Sequence, residues 1–301
     1  MDGAFGHPVE RAAGQAAGSG DLPVGFSALL PTCTLPRLTP GALVAGLNRM
    51  LGKDVGVELI PELTRVEQSP GGARVWHRPK VPPRVGVAAA GIALVVEGHD
   101  RPAFSSRGVE ALEFRSWPAG AREVARARGH LRDTEPAPEL GADLDLNHDR
   151  AAAVSAVAAA ATELVETAAV VWEASGVAVP AEELAAALPA LAAGEPPVAL
   201  WVATATGPGG GVLTRGLYPL LGAEIEVRMP ALSAAAAREL ALRMANEILE
   251  TGRPPAEGAR IGQRAGAAFR VRYRGAEGGG APAVVLDEVA PSDLHLAAGA
   301  A

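Results

Sequence analysis

Cysteine, lysine and aromatic side chains are all scarce in this chain, and each scarcity narrows what it can do. Cysteine occurs once, at Cys33, so no disulfide can close within the chain and no thiolate cluster can hold a metal; a reducing compartment fits at least as well as export. Aromatics are 4% of the residues, so any flat cofactor pocket would be thinly lined. Positive charge is also short. Lys and Arg number 27 against 34 Asp and Glu, a net charge of −7, and no general cationic field exists to attract phosphate backbones or anionic lipid. Only Lys53 and Lys80 are lysines, a bias that accompanies abundant Ala, Gly and Pro. No long apolar run occurs: the alanine-rich stretch from Ala151 to Thr162 falls far short of the roughly 20 residues that cross a bilayer. The residues Met1 to His7 show no basic stretch leading into an apolar one, so no secretory signal is visible. A soluble cytoplasmic protein, without nucleic acid or membrane as partner, is the expectation.

What is present is core-forming material: 49% of 301 residues are hydrophobic, enough for one large domain or two small ones. Composition predicts tails at 1–22 and 291–301, an N-terminal half over 23–132, a Pro-rich acidic linker at 133–148 and a C-terminal half over 149–290. In the first half a strand at 25–30 precedes a helix with Thr39 at its N-cap and Pro40 in its first turn. Strand-like runs follow at 55–66, 73–77, 85–97 and 109–114, then a helix at 120–131. In the second half a helix at 149–167 leads to a strand ending at Trp172 and a helix from Pro180, which Pro189 should end or kink. Strands follow at 198–206, 212–217 and 223–229, a helix at 233–251, and two last strands. Runs of strands with helices on one face predict an α+β fold of antiparallel sheets, and two ferredoxin-like halves are one arrangement of that kind.

Several residues stand together in the second half: Val171-Trp172-Glu173-Ala-Ser175-Gly176, Thr214-Arg215-Gly216-Leu217, Gly222-Ala-Glu224-Ile-Glu226, a helix ending at Gly252, and Gly258-Ala-Arg-Ile-Gly262. This set resembles the bacterial domain-of-unknown-function (DUF) family 4261, most clearly over 150–275, with Trp117-Pro118 and Arg128-Gly-His130 as fainter matches earlier. The resemblance implies a fold and a bacterial source, and no reaction.

The candidate recognition residues are Trp172, Glu173, Thr214, Arg215, Glu224 and Glu226. Alternation along 223–229 sets Glu224, Glu226 and Arg228 on one side and Ile225, Val227 and Met229 on the other, which predicts a half-solvated strand with both carboxylates exposed. Arg215, on the neighbouring strand, would pair with one of them or receive an anion bidentately. On this pattern, changing Arg215 and Glu226 together leaves the fold intact. Asp143 to Asp149 imitates the start of a calcium loop but has His148 in place of its Gly and Val154 in place of its bidentate Glu, so no metal is expected. Gly207 to Gly211 lacks the Lys and Ser/Thr of a phosphate loop and reads as a hairpin turn. Trp172 and Trp201 also suit a core, and Cys33 suits a buried small hydrophobe. No cofactor is implied. The sequence favours a non-enzymatic module that binds a protein or small molecule. The alternatives are an enzyme with a site near His130, Trp172, Glu173 and Arg215, or an immunity or accessory factor for an effector.

Overall fold

A computed structural model describes residues 25–34, 38–51, 55–65, 83–115, 117–135, 144–228, 232–261, 268–276 and 281–289. The chain runs through β1 (Ser27–Thr32), α1 (Pro40–Leu51), β2 (Val57–Arg65), β3 (Arg84–Ala89), β4 (Ile92–His99), α2 (Ser106–Glu110), α3 (Gly120–Ala125) and β5 (Gly129–Thr134). It continues with α4 (Leu144–Leu164), β6 (Val170–Trp172), β7 (Ala178–Val179), α5 (Ala181–Ala192), α6 (Val198–Trp201), β8 (Ala203–Thr206), β9 (Val212–Arg215) and α7 (Tyr218–Leu221). The last elements are β10 (Glu224–Arg228), α8 (Ala234–Thr251), β11 (Arg260–Ile261), β12 (Ala268–Arg274) and β13 (Ala283–Val289). The fold is α+β, and no helix among the described residues is long and apolar enough to cross a membrane.

The described residues form two compact units that change over between Trp201 and Val202. The N-terminal unit is a seven-stranded sheet in the order β2-β3-β4-β5-β1-β6-β7. Its pairs are antiparallel, with β1 between β5 and β6. Leu29 faces a cluster with Val109 of α2, Val124 of α3 and Val171 of β6. On the other face Phe26 packs its ring 5.2 Å from Trp172 and 5.5 Å from Trp201. The Trp201 indole donates to Ser155 of α4 at 3.1 Å. Helical segments therefore cover both faces of this sheet. Nearly every side chain of α4 from Ala151 to Ala161 is buried, and alanine suits a helix enclosed on most sides because it lets neighbours come close.

Several expected boundaries move. The segment 109–114 enters helix α2, started by Ser105, whose hydroxyl accepts the Gly108 N–H at 3.2 Å. The helix expected at 120–131 stops at Ala125, so His130 and Leu131 lie on β5. Asp133 and Thr134 belong to that strand and Leu144 opens α4, so the ends of the expected linker are structured, while 136–143 lies outside the described residues. Pairing of Ala28 with Trp172 ties β6 into the first sheet, which moves 149–201 from the C-terminal half to the N-terminal unit. Val198 to Trp201 is a helical turn ahead of β8, and Pro189 sits inside α5, which ends three residues later at Ala192. The run 73–77 lies outside the described residues.

The C-terminal unit is a six-stranded mixed sheet, β11-β12-β13-β10-β9-β8, with β10 parallel to β13. Neither sheet repeats the other's order, so the two-ferredoxin arrangement finds no support. The β8–β9 hairpin turns at Gly207 to Gly211, and a Cβ at Gly211 would run into the Val227 carbonyl oxygen, so only glycine fits. Helix α8 is capped by the Ser233 hydroxyl, which accepts from Ala236 N–H at 3.2 Å, and packs Leu240, Met244 and Ile248 inward. Its outer Glu239–Arg243 pair, 3.8 Å apart, is largely exposed. Leu240→Ala or Ile248→Ala should cost about 2–5 kcal/mol, and Arg243→Ala no more than about 0.5 kcal/mol; denaturant midpoints that reverse this ranking would invert the assigned face.

Candidate functional site

Glu224 opens β10 with its carboxylate turned inward, and each oxygen receives two donors. Oε1 accepts the N–H groups of Gly216 at 2.9 Å and Tyr218 at 3.0 Å. Oε2 accepts the Thr214 hydroxyl at 2.7 Å and Leu217 N–H at 3.2 Å. The Thr214 hydroxyl also accepts Ile225 N–H at 2.7 Å, replacing a ladder bond where β9 and β10 diverge. Gly216 has φ 102°, a conformation open to glycine and poor for residues with a Cβ, and it turns successive N–H groups onto one anion. Burial pushes the Glu224 carboxyl up from its ordinary range, while the donors from Thr214, Tyr218, Gly216 and Leu217 oppose that push. The expectation that Glu224 is exposed is thereby corrected. Thr214 and Glu224 are buried and anchor the loop between β9 and β10.

Glu226 is corrected in the same way, with 0% of its surface exposed. Its carboxylate holds Arg228 Nε at 2.6 Å and Arg274 Nη2 at 2.9 Å. Those two arginines hold it; Arg215 ends β9 opposite Ala203 of β8, past the last β9–β10 pair, with its side chain exposed.

The register gathers charge on one face of this sheet. Arg260 stands opposite Arg270, Arg270 opposite Asp287, and Asp287 opposite Arg228. Arg272 and Arg274 follow Arg270 at alternate positions of β12 and so share its side. Arg215 shares the face through Leu213, the partner of Glu226. Among the described residues six guanidinium groups thus stand with two carboxylates, Glu226 and Asp287, while the Glu224 charge is taken up by its loop. Arg272 pairs with Asp287 at 3.2 Å yet keeps 59% of its side chain exposed. The β12 arginines escaped the sequence reading, although their alternation at 270, 272 and 274 was a visible signal.

In the N-terminal unit, pairing of β4 with β5 brings His99 opposite His130. Their rings stack 4.4 Å apart and 14° from parallel. His130 Nδ1 lies 2.8 Å from the Arg101 carbonyl oxygen, so that nitrogen carries the proton and Nε2 the lone pair. Glu97 approaches His99 at 3.7 Å, and Arg132 donates to Glu173 at 2.8 Å. Sequence reasoning missed His99 and Glu97 because their position depends on strand register. Burial is the main influence holding both imidazoles below their ordinary value; for His130 the neighbouring His99 adds to it. The folded protein therefore binds these protons less readily than the unfolded chain, and stability is lost as pH falls through the unfolded value of about 6.5. Moving from about pH 7.5 to about pH 5.5 should lower the urea midpoint further in the wild type than in His99→Gln; equal drops would count against the stack as the cause.

Trp172 is 1% exposed and packs on Phe26, which removes it from the recognition residues; Glu173 remains partly exposed in its ion pair. Asp133, on β5, has no hydrogen-bond partner for either carboxylate oxygen among the described residues, and burial, then Glu135, push it well above the usual carboxylate range. Cys33 lies half-buried just past β1. Leu144 to Asp149 form the first turns of α4 and not an open calcium loop. Among the described residues no group of three His, Cys, Asp or Glu side chains is arranged to hold a metal. The chain matches no family model, no curated protein and no solved structure.

Proposed function

We propose that this is a non-enzymatic binding module of the bacterial cytoplasm, akin to DUF family 4261, and that it recognises an anionic partner on the arginine face of its C-terminal sheet. The observation that carries this reading is the direct opposition of Arg260 and Arg270 across the β11–β12 ladder. Like charges opposite one another destabilise a sheet, and an external anion relieves that repulsion. Arginine adds a planar fork of donors suited to carboxylates. Of the residues first singled out, Arg215 remains in the proposed surface and the buried Thr214, Glu224 and Glu226 support it from below. An accessory role alongside an effector is compatible with this surface when the effector presents an acidic face.

The test is capture from a host extract by wild type and by Arg272→Gln, with the retained species identified by mass. A retained acidic species that is lost at raised salt and lost from the variant is the expected result. Identical retention by the two proteins would overturn the reading.

A further inference from the structure

We infer that the partner presents an extended acidic segment with carboxylates at every second residue, laid along β12; this deepens the reading just given and rests on it. The inference starts from spacing. Arg270, Arg272 and Arg274 point to one side of a continuous strand, so their Cα atoms step by about 6.7 Å. An extended peptide steps its alternate side chains by the same distance, so acidic residues at alternate positions meet one guanidinium after another. Arg260 stands across from Arg270 and widens the cationic strip at the β11 end.

The interruption of the strip favours carboxylates over a phosphate backbone: Asp287 sits between Arg270 and Arg228, and Glu226 holds Arg228 and Arg274. A continuous run of phosphates would meet those carboxylates, whereas a peptide can place uncharged residues there. Arg272, held to Asp287 yet largely exposed, can exchange or share that carboxylate with an incoming one.

The experiment uses the full chain and three labelled probes read by fluorescence anisotropy: a peptide of about ten residues alternating Glu and Thr, a peptide of the same composition with its glutamates contiguous, and an oligothymidylate of equal length. The alternating peptide should bind at least about tenfold more tightly than the contiguous one. Arg260→Gln with Arg270→Gln should weaken that binding about tenfold without lowering the denaturant midpoint, because the substitution removes a repulsion from the sheet. Arg238→Gln, an exposed change on α8, should leave binding as it was. Equal affinity for the two peptides, tighter binding of the oligothymidylate, undiminished binding by the double variant, or no binding of the alternating peptide would each overturn the inference. If the alternating peptide fails while Arg272-dependent capture of an acidic species succeeds, the spacing inference falls and the broader reading stands. If both fail, both fall.

Discussion

Glu224→Gln should destabilise the protein by about 3–5 kcal/mol. The four donors closing on Glu224 fill both carboxylate oxygens. An amide retains one oxygen and turns an NH2 group toward N–H donors that have no other acceptor, so buried donors are left unsatisfied as well as bonds lost. Chemical denaturation of wild type and variant at neutral pH measures this directly. A midpoint unchanged within the equivalent of about 1 kcal/mol would mean that water reaches the loop and that the carboxylate is no anchor.

Glu226→Ala should cost about 2–4 kcal/mol, where the alternation of residues 223–229 by itself predicts an almost neutral change. The carboxylate is wholly buried and bonds two guanidinium groups, and its removal leaves Arg228 and Arg274 facing each other. Both retain some exposure, 44% and 28% of their side chains, so water compensates in part and the cost stays below that of a fully enclosed orphaned charge. Restoring stability by Glu226→Ala with Arg274→Met would show that the loss came from unpaired cations and not from the cavity. If Glu226→Ala alone melted like the wild type, the buried pair would be energetically idle.

These two glutamates also mark how far the sequence could be read. Alternation placed the β10 side chains on opposite faces, and that part stands: Ile225 and Val227 lie on one face, Glu224 and Glu226 on the other. What alternation does not encode is whether the polar face meets solvent, because burial depends on loops and strands that arrive from elsewhere in the chain. Here the loop at 216–218 wraps one carboxylate, and Arg274 from β12 reaches the other. Helix α8 was legible to within a residue because its apolar stripe, its Ser233 cap and its Gly252 terminator agree. The strand expected at 109–114 failed because a short helix with one serine cap leaves too little periodicity to outweigh β-branched composition. The His99–His130 stack and the attachment of β6 to β1 arise from long-range register, which no local pattern specifies.

The Glu224 loop carries a consequence for descent. One acceptor serves four donors spread over Thr214 to Tyr218, so a substitution at Thr214, Gly216 or Glu224 alone breaks the arrangement, and only paired changes restore it. Lineages should therefore retain these positions together or lose them together, as correlated steps. Arg274 of β12 is tied to the buried Glu226, whereas Arg260, Arg270 and the largely exposed Arg272 answer to no buried acceptor and are free to drift with whatever they meet. A Thr-x-Gly followed by Glu is in this sense an imprint of folding inheritance, and divergence of Arg260, Arg270 and Arg272 among descendants would track changes of partner.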